Sequence, residues 1–318
     1  MQTMKDYKAD LNQRYWEYRE SFQLSIFERP YANDGRPPVF IRKEAQRNVI
    51  FNPDVEKNKT MLALIPKGEW HKWFGSMNSS QALAQSILGN LFVYDSLRCL
   101  SGLKDDEGMN LFGKAKIPID NFEMERKINY LGEPRRTSLD GYICGDYRIA
   151  IECKFTEAEV GPCSRPGLKP KDSNYESDYC DGTYSIQPRR KERCALTEIG
   201  VLYWHYVPQL FTWESGSDLR PCCPLNKNYQ LVRNILAVGV KPNGSVSLND
   251  GHVLLIYDER NPSFQEGGDG FIAYTETRVA LRNKQMLRKC SWQSVVKHIR
   301  EINILPWLTE SLEQKYGL

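Results

Sequence analysis

Three charged side chains stand out in the segment SLDGYICGDYRIAIECKF, residues 138–155, which otherwise has the composition of a buried hairpin. They are Asp140, Glu152 and Lys154. Carboxylate oxygens are ligands that Mg²⁺ and other hard divalent cations prefer. Two carboxylates alone would make only a metal site, whereas an adjacent lysine adds a cation that can act in catalysis. The three residue types together predict a metal-assisted catalytic site.

The run RIAIECKF, residues 148–155, predicts a strand because it is short, apolar and rich in β-branched residues, and because it follows a Gly-Asp turn. Side chains alternate between the two faces of a strand. Glu152 and Lys154 therefore share one face, and the apolar residues between and beside them share the other.

The length of the hairpin loop decides whether Asp140 can join that face. A strict two-residue turn at Gly145 and Asp146 would place Asp140 opposite Ile151, on the wrong face. A catalytic site instead requires a three-residue loop or a bulge, which would place Asp140 opposite Glu152. A regular ladder with the shorter turn would exclude the metal site.

The elements around the hairpin alternate between helical and strand periodicity. They comprise a helix at 78–94 capped by Asn78 or Ser79, a strand at 117–131, a helix near 194–207, a helix at 228–240, a strand at 252–259 and a final helix beginning at 291–299. This order predicts a mixed α/β fold. We expect one elaborated domain over residues 1–318, with an N-terminal extension to about 75, a core from about 78 and an irregular, cysteine-bearing insertion at about 158–224.

Composition narrows the class of protein. The chain has 318 residues, 41% of them hydrophobic and 26% charged, which is typical of a globular protein. A net charge of +3 is too small to indicate nucleic-acid binding by itself. No apolar stretch is long enough for a membrane helix, and the N-terminus lacks a signal-peptide core, so we expect a soluble, cytoplasmic protein without a membrane partner.

An acid on one strand followed by Glu-x-Lys on the next resembles the PD-(D/E)XK nuclease superfamily, with Asp140 and Glu152-Cys153-Lys154 as the matching residues. Leu139 stands where the motif has its variable proline. A narrower resemblance is to a bacterial family of restriction endonucleases. It rests on FGSMNSSQALAQSILGNLF (74–92), YLGEPRRTSLDGYI (130–143), CALTEIGVLYW (194–204) and PLNKNYQLVRN (224–234). The resemblance implies a restriction-endonuclease-like mixed β-sheet core flanked by helices.

The resemblance also implies an activity, which is Mg²⁺-dependent or Mn²⁺-dependent hydrolysis of phosphodiester bonds in double-stranded DNA, in bacterial restriction or anti-phage defence. Asp140, Glu152 and the Cys153 backbone carbonyl would bind the ion. Lys154 would orient or deprotonate the attacking water and stabilise the developing charge. Cutting both strands usually needs two active sites, so we expect a homodimer.

Two other interpretations remain open. Glu152 and Lys154 could form an ordinary surface ion pair, which contributes little stability. The chain could also be a nucleic-acid-binding or interaction protein with an inactive nuclease-like fold.

Further polar residues are weaker candidates for the same site. Gln81 and Gln85 lie one turn apart on the first helix of the core, Glu125 lies on the strand before the hairpin, and Gln230 lies on the helix at 228–240. Gln81 and Glu125 are the additional catalytic candidates. Solvation of a helix or strand surface is the alternative for each.

Nine cysteines without a secretion signal indicate reduced thiols, metal ligands or both. Cys163, Cys180, Cys194 and Cys222 fall in the irregular insertion and could bind a structural Zn²⁺ ion or an iron–sulfur cluster. The spacing contains no C-x₂-C pair, so buried reduced thiols are the alternative.

Overall fold

The computed structural model describes residues 2–22, 27–29, 35–115, 121–134, 136–171, 180–183, 190–213 and 222–318. The α-helices in these ranges are α1 (Met4–Ser21), α2 (Val55–Ala63), α3 (Ser80–Ala84), α4 (Asn90–Val93), α5 (Ala195–Glu198), α6 (Tyr203–Leu210), α7 (Leu225–Gly239), α8 (Asp269–Ala280), α9 (Trp292–Glu301) and α10 (Pro306–Tyr316). The strands are β1 (Phe122–Ile128), β2 (Thr137–Ile143), β3 (Arg148–Cys153), β4 (Gly251–Tyr257) and β5 (Leu287–Ser291). The short 3₁₀ helices are Arg42–Asn48, Lys67–Glu69, Leu97–Gly102, Arg165–Gly167, Pro262–Phe264 and Lys284–Met286.

The strands form one five-stranded sheet in the order β1-β2-β3-β4-β5. The pairs β1–β2 and β2–β3 are antiparallel, as in a meander, whereas β3–β4 and β4–β5 are parallel. Parallel neighbours need a crossover, and helices α5 to α7 supply it between β3 and β4 while α8 supplies it between β4 and β5.

Helices cover both faces of the sheet. Strands β3 and β4 are buried along their whole length, as expected for strands enclosed on both sides. Ile149 and Ile151 face a first layer of helices, formed by α1, α3, α4, α9 and α10. Ala150 faces a second layer, formed by α6, α7 and α8. This arrangement confirms the predicted fold class, a mixed α/β sheet flanked by helices.

The N-terminal helix α1 packs into the first layer. Thr3 caps it and accepts a hydrogen bond from the Asp6 N–H at 3.2 Å. Tyr7 and Tyr15 are buried, and the Tyr7 hydroxyl donates to the Phe155 carbonyl at 3.1 Å. The beginning of the chain therefore supports the end of β3, where the predicted catalytic residues lie.

The predicted helix at 78–94 is present and begins after Ser79, whose hydroxyl accepts a hydrogen bond from the Ala82 N–H. A π-helical turn at Gln85–Gly89 separates α3 from α4. Gln85 is fully buried there, and its side chain donates to the Met61 carbonyl at 2.9 Å. Solvation of the helix surface is therefore wrong as an interpretation of Gln85.

Several predicted bounds differ from the structure. Strand β1 covers Phe122–Ile128, and residues 117–120 of the predicted strand lie outside the described residues. The helix predicted near 194–207 is two shorter helices, α5 and α6. Five elements were not predicted from the sequence, namely α1, α2, α8, β5 and α10. In the described part of the chain, no helix is long and apolar enough to cross a membrane.

Candidate active site

The hairpin register places the predicted catalytic residues together. Gly141 pairs with Ile151 and Ile143 pairs with Ile149, so the same register sets Asp140 opposite Glu152. This is the register of a three-residue loop, one residue longer than the strict turn, and it confirms the prediction made from the sequence. Asp140 and Glu152 therefore lie in one row across two adjacent strands, and Lys154 follows on the Glu152 face.

Glu152 and Lys154 form a buried ion pair. Their side chains are 1% and 8% exposed, and Lys154 Nζ lies 2.9 Å from Glu152 Oε1. An exposed ion pair would keep most of its hydration, whereas burying two charges requires further hydrogen bonds to compensate for the hydration that they lose. The surface ion-pair interpretation of these residues is therefore wrong.

Helix α7 supplies those further hydrogen bonds. Gln230 donates from Nε2 to Glu152 Oε1 at 2.6 Å and accepts from Lys154 Nζ at 3.0 Å. Asn234, one turn further along, donates from Nδ2 to Glu152 Oε2 at 2.6 Å. Both oxygens of the buried carboxylate are thus fixed in position by amide donors.

The charges around Lys154 keep it protonated. Burial by itself would lower the pKa of the Lys154 ammonium, but the carboxylates of Glu152, Glu157 and Asp140 raise that pKa above its ordinary value. Lys154 is therefore a cation at neutral pH, suited to donating hydrogen bonds and stabilising negative charge.

Asp140 is half-buried, and its Oδ2 accepts a hydrogen bond from the Cys153 N–H at 2.7 Å. Burial, together with the charges of Glu152 and Glu125, raises the pKa of the Asp140 carboxyl well above its ordinary value. Repulsion between neighbouring carboxylates is the electrostatic situation that a bound cation relieves.

Glu125 is a third carboxylate near this row. It lies on β1 between residues that pair with Gly141 and Leu139, so the register sets it beside Asp140. Its backbone has φ of 52°, in the left-handed region that non-glycine residues rarely adopt. Gln81 of α3 and Ser138 of β2 each donate a hydrogen bond to its carboxylate. Burial raises the pKa of Glu125.

The structure thus brings Gln81, Glu125 and Gln230 to the neighbourhood of Asp140 and Glu152, rather than to a solvated surface. Two residues of this neighbourhood were not predicted from the sequence: Asn234, and Glu157, which accepts a hydrogen bond from the Ser80 hydroxyl at 2.6 Å. The spacing of Gln230 and Asn234, four residues apart on one helix face, was the available signal.

The four cysteines of the predicted structural metal set differ in exposure. Cys163, Cys180 and Cys194 are buried or partly buried, but Cys222 is exposed, whereas its neighbour Cys223 is partly buried and packs against the second layer. All nine cysteines are free thiols. Cys222 is thus the exposed member of the predicted set, and metal binding by the four cysteines stays a prediction.

The candidate metal site consists of oxygen donors. Among the described residues, no group of three or more His, Cys, Asp or Glu side chains is arranged so that it could hold a metal ion. The predicted magnesium set is smaller, with two carboxylates and one carbonyl. Asn234 Oδ1 adds a buried oxygen without a hydrogen-bond partner, on the residue that contacts Glu152. Such hard oxygen donors fit Mg²⁺.

A mixed sheet covered by helices, with two carboxylates and a lysine where β2 and β3 meet, defines a restriction-endonuclease-like protein. The chain matches the family model described as "Restriction Endonuclease associating with ARP" over residues 11–317, and it belongs to that family. The match includes most of the first 70 residues, where the sequence by itself showed no resemblance. Comparisons with curated proteins and with solved structures gave no match.

Proposed function

We propose that the protein is a Mg²⁺-dependent endonuclease that hydrolyses phosphodiester bonds in double-stranded DNA, with Mn²⁺ as an alternative ion. The observation that carries the proposal is the hairpin register, in which Gly141 pairs with Ile151; extended by one residue, it sets Asp140 opposite Glu152, with Lys154 next on the same face. Membership of a restriction endonuclease family supports the nuclease class. Restriction or anti-phage defence in bacteria is the role that we propose for this activity.

Asp140, Glu152 and the Cys153 backbone carbonyl would hold the ion, with Asn234 Oδ1 as a further oxygen near Glu152. When bound, Mg²⁺ supplies positive charge that polarises the phosphate and lowers the pKa of a bound water. The raised pKa of Asp140 means that this carboxyl must lose its proton before it can serve as a ligand.

The remaining chemistry belongs to side chains of the protein. Lys154, as an ammonium ion, would orient the attacking water through a hydrogen bond and stabilise negative charge on the phosphate oxygens. Because its pKa is raised, orientation is favoured over deprotonation of the water. Gln230 would keep Lys154 and Glu152 in one geometry, since it contacts both. Gln81 and Glu125 remain predictions as catalytic residues.

Cleavage of supercoiled plasmid and of phage genomic DNA with Mg²⁺ tests the proposal. Asp140→Ala and Lys154→Ala should each remove cutting while the protein stays folded. Lys297→Ala is the matched control, because Lys297 is exposed on α9 and pairs only loosely with Glu301 at 3.8 Å. Cutting that persists in Asp140→Ala, or a wild type that binds DNA without cutting it under any metal condition, would favour the inactive binding protein.

A homodimer on DNA is part of the same proposal, because a double-strand cut needs one active site for each strand. Gel filtration with and without DNA, using the cleavage-deficient Lys154→Ala variant, tests this. A monomer in both conditions would contradict dimerisation and would leave the cleavage assay as an independent result.

A further inference from the structure

A cavity of about 530 Å³ lies beside β1 and β2. It is bounded by the end of β1, by the turn between β2 and β3, and by the residues that follow α7. Arg148, the first residue of β3, forms part of its lining. Four residues separate Arg148 from Glu152, which is about 13 Å along a strand. The cavity is therefore a second site, at the opposite end of β3 from the candidate active site.

Arg148 is a buried cation whose hydrogen-bonding capacity is only partly used. It is 7% exposed, and its Nη1 donates to the Val240 carbonyl at 2.7 Å. Its Nη2 is buried and has no hydrogen-bond partner. Within the described part of the chain, no carboxylate forms an ion pair with Arg148. Since buried charges in proteins are normally paired, this guanidinium is suited to an anionic ligand.

Two tyrosines lie beside the Arg148 guanidinium and also line the cavity. Tyr142 is 4% exposed, and the Tyr130 hydroxyl donates to the Ala237 carbonyl at 2.6 Å. Burial raises the pKa of both hydroxyls, while the positive charge of Arg148 acts in the opposite direction, so Arg148 lies close to each of them. The tyrosines therefore add neutral polar groups and aromatic rings to the lining next to the buried cation.

The lining carries more positive than negative charge. It contains four cationic side chains and two carboxylates, which are Arg126, Lys127, Arg148, Lys241, Asp146 and Asp250. Apart from Arg148, the cationic side chains are 42–45% exposed and each forms an ion pair. Exposed ion pairs contribute little stability, so an incoming anion can replace the carboxylates as the partner of these cations.

We propose that this cavity binds a small molecule that carries phosphate groups, with Arg148 as the buried charge that holds a phosphate. A guanidinium matches the geometry of phosphate oxygens and stays charged throughout the physiological pH range. The volume lies in the range of ligand cavities, about 300–1,000 Å³. A nucleotide and an inorganic polyphosphate share the chemistry that this lining recognises, and the aromatic rings favour the nucleotide.

Two exposed cysteines allow a test on the wild-type protein. Cys144 and Cys222 are both exposed free thiols, but Cys144 belongs to the lining of the cavity and Cys222 lies outside it. ATP or tripolyphosphate, in a chelator and at ten times its dissociation constant, should slow alkylation of Cys144 by iodoacetamide about tenfold, because only unoccupied protein reacts. Alkylation of Cys222 should keep its rate, and adenosine should protect neither thiol. Peptide mass spectrometry gives both rates in one sample.

The two phosphate compounds distinguish the source of the ligand. Stronger protection by ATP than by tripolyphosphate at equal concentration would support a nucleotide, and the reverse order would support an inorganic polyphosphate. The proposal is overturned if neither compound slows alkylation of Cys144 or raises the melting temperature. It is also overturned if Cys222 is slowed equally, or if only duplex DNA protects Cys144.

Arg148→Met should abolish the protection of Cys144. Arg288→Met is the matched control, because Arg288 is 5% exposed and also donates to a backbone carbonyl, that of Asn110, outside this cavity. Protection that persists in a folded Arg148→Met variant would overturn the proposal. Where Arg148→Met does not fold, Arg126→Gln changes an exposed side chain of the lining and should weaken the protection severalfold, whereas unchanged protection would count against the site. None of these results depends on whether the protein cleaves DNA.

Discussion

Replacing Asn234 with alanine removes an N–H donor from a carboxylate that has almost no contact with water. Asn234 is fully buried, Glu152 is 1% exposed, and the bond from Asn234 Nδ2 to Glu152 Oε2 is 2.6 Å long. A hydrogen bond to a charged, buried acceptor contributes about 1.5–3 kcal/mol, and water cannot easily take its place here. We expect Asn234→Ala to lower the free energy of unfolding by about 2–3 kcal/mol.

Asn228→Ala is the matched control for this loss. Asn228 lies on the same helix and is 3% exposed, but its amide nitrogen is 3.5 Å from Glu276 Oε2, which is long for a hydrogen bond. The two variants make the same change in volume and in helix propensity. Urea denaturation at one pH, without divalent metal, should therefore show a larger loss for Asn234→Ala.

A double-mutant cycle assigns the difference to Glu152. In a Glu152→Gln background the acceptor is no longer charged, so Asn234→Ala should cost less by about 1–2 kcal/mol. Two results would contradict this role of Asn234: a loss of stability in Asn234→Ala no larger than that in Asn228→Ala, or a loss that Glu152→Gln leaves unchanged.

Three further predictions concern charge and backbone conformation. The pKa of Asp140 is raised in the folded state, so the stability that this carboxyl contributes below its ordinary pKa of 3.8 is lost as pH rises through the raised pKa. In a chelator, the melting temperature of Asp140→Asn should therefore exceed that of wild type by an amount that grows as pH rises. The variant should also lose the increase in melting temperature that Mg²⁺ gives to wild type. Burial lowers the pKa of Lys315 to about 7. In urea denaturation, wild type should therefore gain stability relative to Lys315→Met from about pH 7 upward, by about 1.4 kcal/mol per pH unit. Equal pH profiles of the two proteins would contradict this. Gly132 has a φ of 75°, and a Cβ there would lie 2.3 Å from the Gly200 carbonyl oxygen. Gly132→Ala should therefore lower the free energy of unfolding by more than about 2 kcal/mol. Gly68→Ala is the control and should change it little, because a Cβ at Gly68 would meet no atom within 4 Å.

The sequence predicted the hairpin but left two registers open, and the nuclease interpretation required the one in which the two carboxylates share a face. Asn234 could not be predicted with the same argument, since it lies 82 residues from Glu152 in the chain and meets it only through the packing of α7. The cysteines of the insertion show a similar limit. Cys222 and Cys223 occupy an irregular segment without periodicity, so the sequence does not indicate which of the two faces inward.

Strand β5 was not predicted because its sequence, LRKCS, places two cationic side chains in a strand of five residues. Both find partners from distant segments. Arg288 donates to the Asn110 carbonyl, and Lys289 lies 3.0 Å from Asp106. These contacts compensate for charges that are unfavourable in a strand with buried neighbours, and no local pattern reveals them.

The left-handed backbone at Glu125 interrupts the alternation of side chains between the two faces of β1. Met124 packs in the first layer, but Ile128, four residues later and of the same parity, packs in the second. Glu123 and Arg126, three apart, form an ion pair of 2.8 Å, although regular alternation would put them on opposite faces. An alternation count started at Phe122 therefore assigns the wrong face to every residue after Glu125, and β1 behaves as two short strands of opposite parity joined at a single acidic residue.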